Sequence, residues 1–136
     1  MKRNLLVVTL LVVVSLTGAL TQNPSETIKV DVPFAFHSNR TTFPSGHYTV
    51  KRVWANNASV LRIANDQGQV DTVFTSPVYG SKEITPQLIF QRYGNTYFLR
   101  RIVAGPNSGS ELPRTPLEKE YARRQKSEVV AVVGRQ

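Results

Sequence analysis

Apolar and polar residues alternate along the segment 28–36. Apolar side chains occupy every second position there, at Ile28, Val30, Val32, Phe34 and Phe36. A period of two is typical of a half-buried β-strand, and a proline at position 33, on the polar side, indicates an edge strand or a bulge. Such an edge is long enough to pair with a second copy of the chain, so a homodimer is one expectation.

The same alternation recurs further along the chain. It predicts strands over residues 47–54, 59–64, 69–75, 88–93 and 96–103. Turn residues separate these strands, and 65–68 and 94–95 are the clearest hairpin signals. Six strands at roughly even spacing, or seven with the C-terminal tail, predict an all-β fold: an antiparallel meander that forms a small barrel or sandwich.

The alternation also assigns side chains to the two faces of each strand. In the second strand Tyr48, Val50 and Trp54 share one face, and Lys51 lies on the other. In the third strand Arg62 points outward. Arg62 is therefore expected away from the core, and Lys51 on the face opposite to Tyr48, Val50 and Trp54.

One short helix is predicted after the strands. Thr115 and Glu118 have the spacing of a capping box, and Pro116 occupies the first helical position, where its missing N–H costs nothing. The helix is expected over 117–125, with Glu118 on its surface. The apolar tail 129–133 is expected to add a seventh strand, with a loose end as the alternative.

The N-terminal segment has the pattern of a secretion signal. Lys2 and Arg3 precede an apolar run over 5–14, and small residues follow. The run is shorter than the roughly 20 residues that cross a bilayer core, so we expect no retained membrane span. The pattern predicts export to the periplasm or the extracellular space, with cleavage after Ala19, or after Thr21 as the alternative.

The chain is predicted to consist of four consecutive segments. They are a cleavable signal peptide at 1–19, a flexible mature N-terminus at 20–27, an antiparallel β-domain at 28–113, and a C-terminal helix with a short apolar tail at 114–136.

Composition excludes some classes of chemistry and favours one class of partner. The chain has no cysteine, which excludes disulfides, thiolate metal sites and a cysteine nucleophile. Its formal net charge is +8, or +6 once Lys2 and Arg3 leave with the signal peptide. A basic surface outside a bacterial membrane attracts anionic envelope polymers, although solubility alone is the simpler explanation.

Four segments carry a resemblance to a known family. They are 32–37 (VPFAFH), 43–50 (FPSGHYTV), 88–99 (LIFQRYGNTYFL) and 111–113 (ELP). Together they resemble a family of small exported bacterial all-β proteins, over nearly the whole mature chain. The resemblance implies export and an all-β domain. It implies no activity, and no functional residue comes with it.

Metal binding and catalysis find little support in the sequence. His37 and His47 are the only histidines, and with Asp31 they match no ligand-spacing motif, so no metal and no cofactor are expected. Ser45, His47 and Asp31 would supply a nucleophile, a base and an acid, yet no glycine-flanked serine elbow is present. We therefore expect a protein that is not an enzyme, with a small enzyme using His37 or His47 as the weaker alternative.

The strongest functional pattern is aromatic and basic. Arginine offers a planar fork for carboxylate or phosphate, and aromatic faces stack on sugars or bases. A curved sheet displaying both would hold an anionic saccharide or an oligonucleotide; in the simpler interpretation the aromatic rings are core and the arginines are solvated. The candidate ligand-binding residues are Trp54, Arg92, Tyr93, Tyr97, Arg100 and Arg101.

These observations predict a binding or structural role at the bacterial envelope. One form is a barrel that holds a small apolar or amphipathic ligand in a cavity lined by Phe34, Phe36, Phe74 and Phe90. The other is a basic module that binds acidic polysaccharide or another anionic polymer, with an affinity that falls as salt rises.

Overall fold

The computed structural model describes residues 27–54 and 57–136. The predicted signal peptide and its cleavage site lie outside these residues and stay predictions. The elements within the described residues are β1 (Thr27–Val32), β2 (Phe36–Ser38), β3 (Thr41–Phe43), β4 (Gly46–Trp54), β5 (Asn57–Asn65), β6 (Val70–Phe74), β7 (Ser76–Val78), β8 (Gln87–Tyr93), β9 (Thr96–Gly105), β10 (Ser108–Glu111), α1 (Pro116–Arg124) and β11 (Glu128–Val133).

Two curled sheets form a half-barrel, so the fold is mostly β with one short helix, as expected. The first sheet is antiparallel, in the order β1-β4-β5-β6. The second has the order β11-β8-β9-β10-β7, and β2 joins it beside β9 with β3 on its outer side. The β2–β9 contact is parallel, with His37 opposite Phe98, and the other pairings are antiparallel.

The described residues contain eleven strands, and the prediction of six or seven in a simple meander was wrong on this point. The predicted strand 28–36 is two strands, because Pro33 has no N–H for a ladder and the chain crosses there from the first sheet to the second. The strands β3, β7 and β10 have three or four residues each. That is too short to show a period of two.

The core between the sheets is filled by aromatic rings. The ring of Phe36 lies 5.1 Å from that of Phe90, and Phe34 meets Phe90 edge-on at 5.0 Å. Phe34 also stacks on Tyr97, with ring centres 3.7 Å apart. Phe74 points outward and is 69% exposed. The prediction that these four phenylalanines line a ligand cavity was therefore wrong. A cavity beside the core, lined in part by aliphatic side chains of both sheets, measures about 20 Å³, which is room for one water.

The helix forms where the capping pattern predicts it. The Thr115 hydroxyl accepts a hydrogen bond from the backbone N–H of Glu118 at 3.2 Å, and a proline opens the first turn. Tyr121 packs against Phe98 and Tyr93 on the outer side of the second sheet. The prediction that Glu118 lies on the surface was wrong: it is 2% exposed, because this face of the helix covers the sheet.

The apolar tail forms the strand β11 and pairs with β8 from Glu128 to Val133, which confirms the expected additional strand. Beyond it, Lys29 and Arg135 exchange two backbone hydrogen bonds of 2.8 and 2.9 Å, and these join the first sheet to the second. The strand β1 is the outermost strand of its sheet, as predicted for an edge strand. The backbone of Arg135 pairs with its outer side at Lys29. Within the described ranges, no helix is both long enough and apolar enough to cross a bilayer.

Candidate functional site

The six predicted ligand-binding residues do not form one exposed surface. Tyr93 is 2% exposed, and its hydroxyl donates a hydrogen bond to Oε1 of Glu118 at 3.3 Å. Burial raises the pKa of the Tyr93 phenol, and the nearby Glu118 carboxylate raises it further. Tyr93 therefore belongs to the small core beneath the helix.

Arg100 is also engaged inside the protein. A β-bulge leaves it without a partner in β8, since Ile89 pairs with Arg101 and Phe90 with Leu99. Its guanidinium donates to the Leu112 carbonyl at 2.6 Å and to a Glu111 carboxylate oxygen at 3.0 Å, and its Nε lies 3.7 Å from Oε1 of Glu118. These contacts give Arg100 a structural role.

The other four candidate residues lie in three places. Arg101 is 3.9 Å from a carboxylate oxygen of Glu111, beside Arg100. Arg92 and Tyr97 face each other across β8 and β9, with the guanidinium carbon 5.9 Å from the ring centre. Trp54 ends β4 in the first sheet and is 55% exposed. The structure therefore brings Arg92 to Tyr97 and Arg100 to Arg101, and places Trp54 on the other sheet.

The sequence singled out Glu118 only as the acid of the capping box. Burial raises the pKa of its carboxyl, while the charge of Arg100, the Tyr93 hydroxyl and the charge of Arg114 oppose that shift. The nitrogen Nε of Arg114 lies 4.0 Å from Oε1 of Glu118. The carboxylate is thus held at the centre of a buried polar cluster under the helix.

The two histidines lie in different sheets. The ring nitrogen Nδ1 of His47 is hydrogen-bonded to Asp31, on the exposed side of β1 and β4, and this hydrogen bond and the carboxylate charge raise the pKa of His47. His37 stacks on Phe98 at 4.9 Å in the second sheet, and partial burial lowers its pKa. Across residues 27–54 and 57–136, no three His, Cys, Asp or Glu side chains gather as metal ligands.

The pair of His47 and Asp31 is the part of the proposed catalytic triplet that the structure brings together. Both side chains are more than two-thirds exposed, so the pair lies on an open sheet face with water around it. A general base works best in a site that excludes water and aligns a substrate. The geometry therefore gives this pair little catalytic support.

A different set of side chains forms a basic groove on the outer face of the first sheet. Lys51 in β4 is directly opposite Arg62 in β5, and both side chains are exposed. The neighbouring pair on the same face of the two strands is Thr49 and Ala64. These four residues line a groove of about 360 Å³, which is called the basic groove below.

The basic groove carries two cations without a compensating anion. Like charges directly opposite in a sheet repel each other and destabilise the pair. In the part of the chain that the structure describes, neither Lys51 nor Arg62 has a carboxylate within ion-pair distance. The alternation of the sequence placed Arg62 outward and Lys51 on the face opposite to Tyr48, Val50 and Trp54, but only the register of β4 against β5 places the two side chains opposite each other.

Over residues 27–54 and 57–136 the fold is a β half-barrel with one helix, and two cations line the groove on its first sheet. Comparisons of the chain with protein-family models, with curated proteins and with solved structures gave no match. The resemblance to small exported bacterial proteins therefore stays an expectation.

Proposed function

We propose that this chain is an exported, non-enzymatic binding module of the bacterial envelope, and that it binds an anionic polymer, such as an acidic polysaccharide, in the basic groove. The observation that carries the proposal is the exposed pair of Lys51 and Arg62 on neighbouring strands. Their mutual repulsion is relieved when an anion lies between them, so the groove favours a bound anion over an empty state.

The chemistry of the groove fits carboxylate or sulfate groups along a polymer. Neighbouring strands are about 4.8 Å apart, so one anionic group can contact Lys51 and Arg62 together. Arginine offers a planar fork of donors and lysine a flexible point charge. The Thr49 hydroxyl lines the same groove and is able to donate to a sugar oxygen.

The packing of the interior supports a surface site over an internal one. The rings of Phe34, Phe36 and Phe90 fill the space between the sheets, so a small amphipathic ligand finds no room among them. The net charge of +6 that remains after loss of the signal peptide also raises the encounter rate with polyanions at low salt.

The test compares two charge-matched double variants of the processed, exported protein. Lys51→Gln with Arg62→Gln empties the groove of charge, and Arg123→Gln with Arg124→Gln removes the same charge from the exposed end of the helix. Binding to alginate is measured by isothermal titration calorimetry at low and at moderate salt. We expect the groove variant to bind at least tenfold more weakly and the helix variant to stay within about threefold of the parent.

Two results would contradict the proposal. Equal losses in the two variants would mean that only net charge attracts the polymer, and equal affinity for a neutral polysaccharide would remove the role of charge altogether. Thermal unfolding supplies an independent check, because removal of the facing cations should leave the melting temperature of the free protein unchanged or raise it.

A further inference from the structure

A further cation, Lys29, lies on the same outer face of the first sheet as the basic groove. Thr27 in β1 is directly opposite Lys51, and Lys29 follows two positions later, opposite Thr49. Residues two positions apart in a strand point to the same face. Ile28 between them is 2% exposed and belongs to the core. The exposed Lys29 side chain therefore points to solvent on the side that carries the basic groove.

Arg135 extends this face beyond the edge of β1. It is directly opposite Lys29, and the two backbones exchange hydrogen bonds of 2.8 and 2.9 Å. Side chains that are directly opposite in an antiparallel pair share a face. The preceding residue is also anchored, because the Gly134 N–H donates to the Pro86 carbonyl at 2.8 Å. The exposed Arg135 side chain therefore begins at a fixed place beside Lys29.

The electrostatics of His47 agree with this placement of Arg135. His47 is opposite Asp31, in the neighbouring pair of β1 and β4 on the same face. The hydrogen bond to Asp31 raises the pKa of His47, and the charge of Arg135 opposes that shift. Charge interactions weaken with distance, so this effect indicates that the Arg135 guanidinium lies on the outer face as well.

Four cations therefore cross the outer face of the first sheet, one on each of four neighbouring backbone segments. They are Arg62 in β5, Lys51 in β4, Lys29 in β1 and Arg135 in the segment after β11, and they are called the basic strip below. Neighbouring strands are about 4.8 Å apart, so three such steps cover about 14 Å. Of the side chains that the structure describes, no carboxylate lies within ion-pair distance of these four.

The charges around the basic groove favour a ligand that lies across the strands. Along the strands the outer face leads from the groove to His47, where Asp31 accepts a hydrogen bond and the charge of Asp66 is also felt. These two carboxylates would repel a polyanion. Across the strands the ligand meets further cations instead, so the basic strip defines the direction of binding.

The side chains between and beside the cations carry hydroxyl or small apolar groups. They are Thr27, Thr49, Ala64, Val70 and Thr72. At these described positions no side chain is aromatic, whereas binding of single-stranded nucleic acid depends on rings on which bases stack. Threonine hydroxyls are able to donate to and accept from sugar hydroxyls. The face therefore suits an acidic polysaccharide better than an oligonucleotide.

We propose that the ligand of this face is a stretch of acidic polysaccharide with an anionic group on consecutive sugars, and that it lies across the strands along the whole basic strip. The inference rests on the polymer-binding function proposed above, and it adds Lys29 and Arg135 as binding residues. It also defines the length that is recognised, about four consecutive anionic groups with one for each strand spacing. A shorter acidic sugar reaches only the basic groove.

The test combines two ligand lengths with two charge-matched variants of the processed, exported protein. The ligands are the disaccharide and the hexasaccharide of mannuronate, and the Kd of each is measured by NMR titration. Lys29→Gln with Arg135→Gln, called the strip variant, shortens the basic strip, and Lys51→Gln with Arg62→Gln empties the groove. The helix variant at Arg123 and Arg124 again controls for net charge.

The strip variant should discriminate between the two ligands. Each exposed ion pair contributes a factor of about two to five, so we expect it to bind the hexasaccharide about tenfold more weakly than the parent does. Its affinity for the disaccharide should equal that of the parent. The groove variant should lose affinity for both ligands, and the helix variant for neither. The melting temperature of the strip variant should match that of the parent, because both substitutions leave the backbone hydrogen bonds of Lys29 and Arg135 in place.

Three results would overturn the inference. They are full affinity of the strip variant for the hexasaccharide, equal losses in the strip and helix variants, or tighter binding of a thymidine hexanucleotide than of the hexasaccharide. The first of these, together with a weakened groove variant, would leave the proposed function standing and remove only the basic strip. Unchanged binding of the groove variant to both ligands would contradict the proposed function itself, so the two failures are seen separately.

Discussion

Replacement of Arg100 by methionine tests the buried polar cluster under the helix. The guanidinium is the charge that most strongly opposes the effect of burial on Glu118. The side chain of Arg100 is 14% exposed and that of Glu118 is 2% exposed. The Arg100→Met variant keeps most of the side-chain volume but leaves the carboxylate with weaker compensation.

The expected loss is large because the remaining charge is buried. Removal of one partner from a buried ion pair costs about 3–5 kcal/mol. The variant also loses the donors to the Leu112 carbonyl at 2.6 Å and to Glu111 at 3.0 Å, and each such hydrogen bond contributes about 1 kcal/mol net. Tyr93 and Arg114 still contact Glu118 and limit the loss. We therefore expect the free energy of unfolding to fall by about 3–5 kcal/mol in total, a large part of the stability of a small domain.

The loss should depend on pH in a defined direction. The pKa of Glu118 is already raised in the folded state, and removal of Arg100 raises it further. An acid with a raised folded pKa destabilises the fold when it is ionised, so the penalty is complete above the folded pKa. It shrinks as pH falls through that value towards the ordinary pKa of the unfolded chain. The variant should therefore approach the parent in stability as the solution is acidified.

Urea unfolding followed by circular dichroism, at neutral and at acidic pH, measures both effects. The control is Arg92→Met, because Arg92 is 3.9 Å from Glu128 in an exposed pair and its loss should cost less than about 1 kcal/mol. Glu118→Gln supplies the second background, where the cost of Arg100→Met should be smaller and should change less with pH, because only the Glu111 carboxylate still pairs with Arg100. A loss below about 1 kcal/mol, or an equal loss in both backgrounds at every pH, would refute the assignment.

Two further predictions concern the sheet faces and the junction. In an NMR titration the pKa of His47 should lie above the ordinary histidine value of 6.5 and the pKa of His37 below it. The substitution Asp31→Asn should lower the pKa of His47 and leave that of His37 unchanged. Equal pKa values for His47 in the parent and in Asp31→Asn would contradict the hydrogen bond. Gly134→Ala should lower stability by about 1–3 kcal/mol in thermal unfolding, because a Cβ there would lie 2.8 Å from a main-chain oxygen of β1. Gly105→Ala, with nothing within 4 Å of its Cβ, is the control, and similar losses in both would refute the close approach.

Local signals predicted much of the fold correctly. The side chain of Asn65 accepts hydrogen bonds from the backbone N–H groups of Gln67 and Gln69, which explains why the hairpin signal at 65–68 was reliable. The helix begins after Thr115 for a similar reason, since the cap bond joins residues three positions apart. Both are contacts between close neighbours, and the sequence displays them directly.

Contacts between distant residues were beyond the sequence pattern. The position of Glu118 was predicted wrongly because the helical pattern by itself places this acid on the surface. The side chain is buried by contacts with Tyr93 in β8 and Arg100 in β9. The bulge at Arg100 was also hidden, since an extra residue changes the alternation only slightly. In the basic groove, Arg62 was correctly placed outward and Lys51 on the face opposite to Tyr48, but their facing arrangement is a property of strand register.

The hydrogen bonds between Lys29 and Arg135 set the order in which the protein can become complete. They join residues 29 and 135, so this junction between the two sheets forms only when the C-terminal segment is present. Contacts of such long sequence separation form late and slowly. If the chain is exported as we propose, this junction forms only after the C-terminal segment has crossed the membrane.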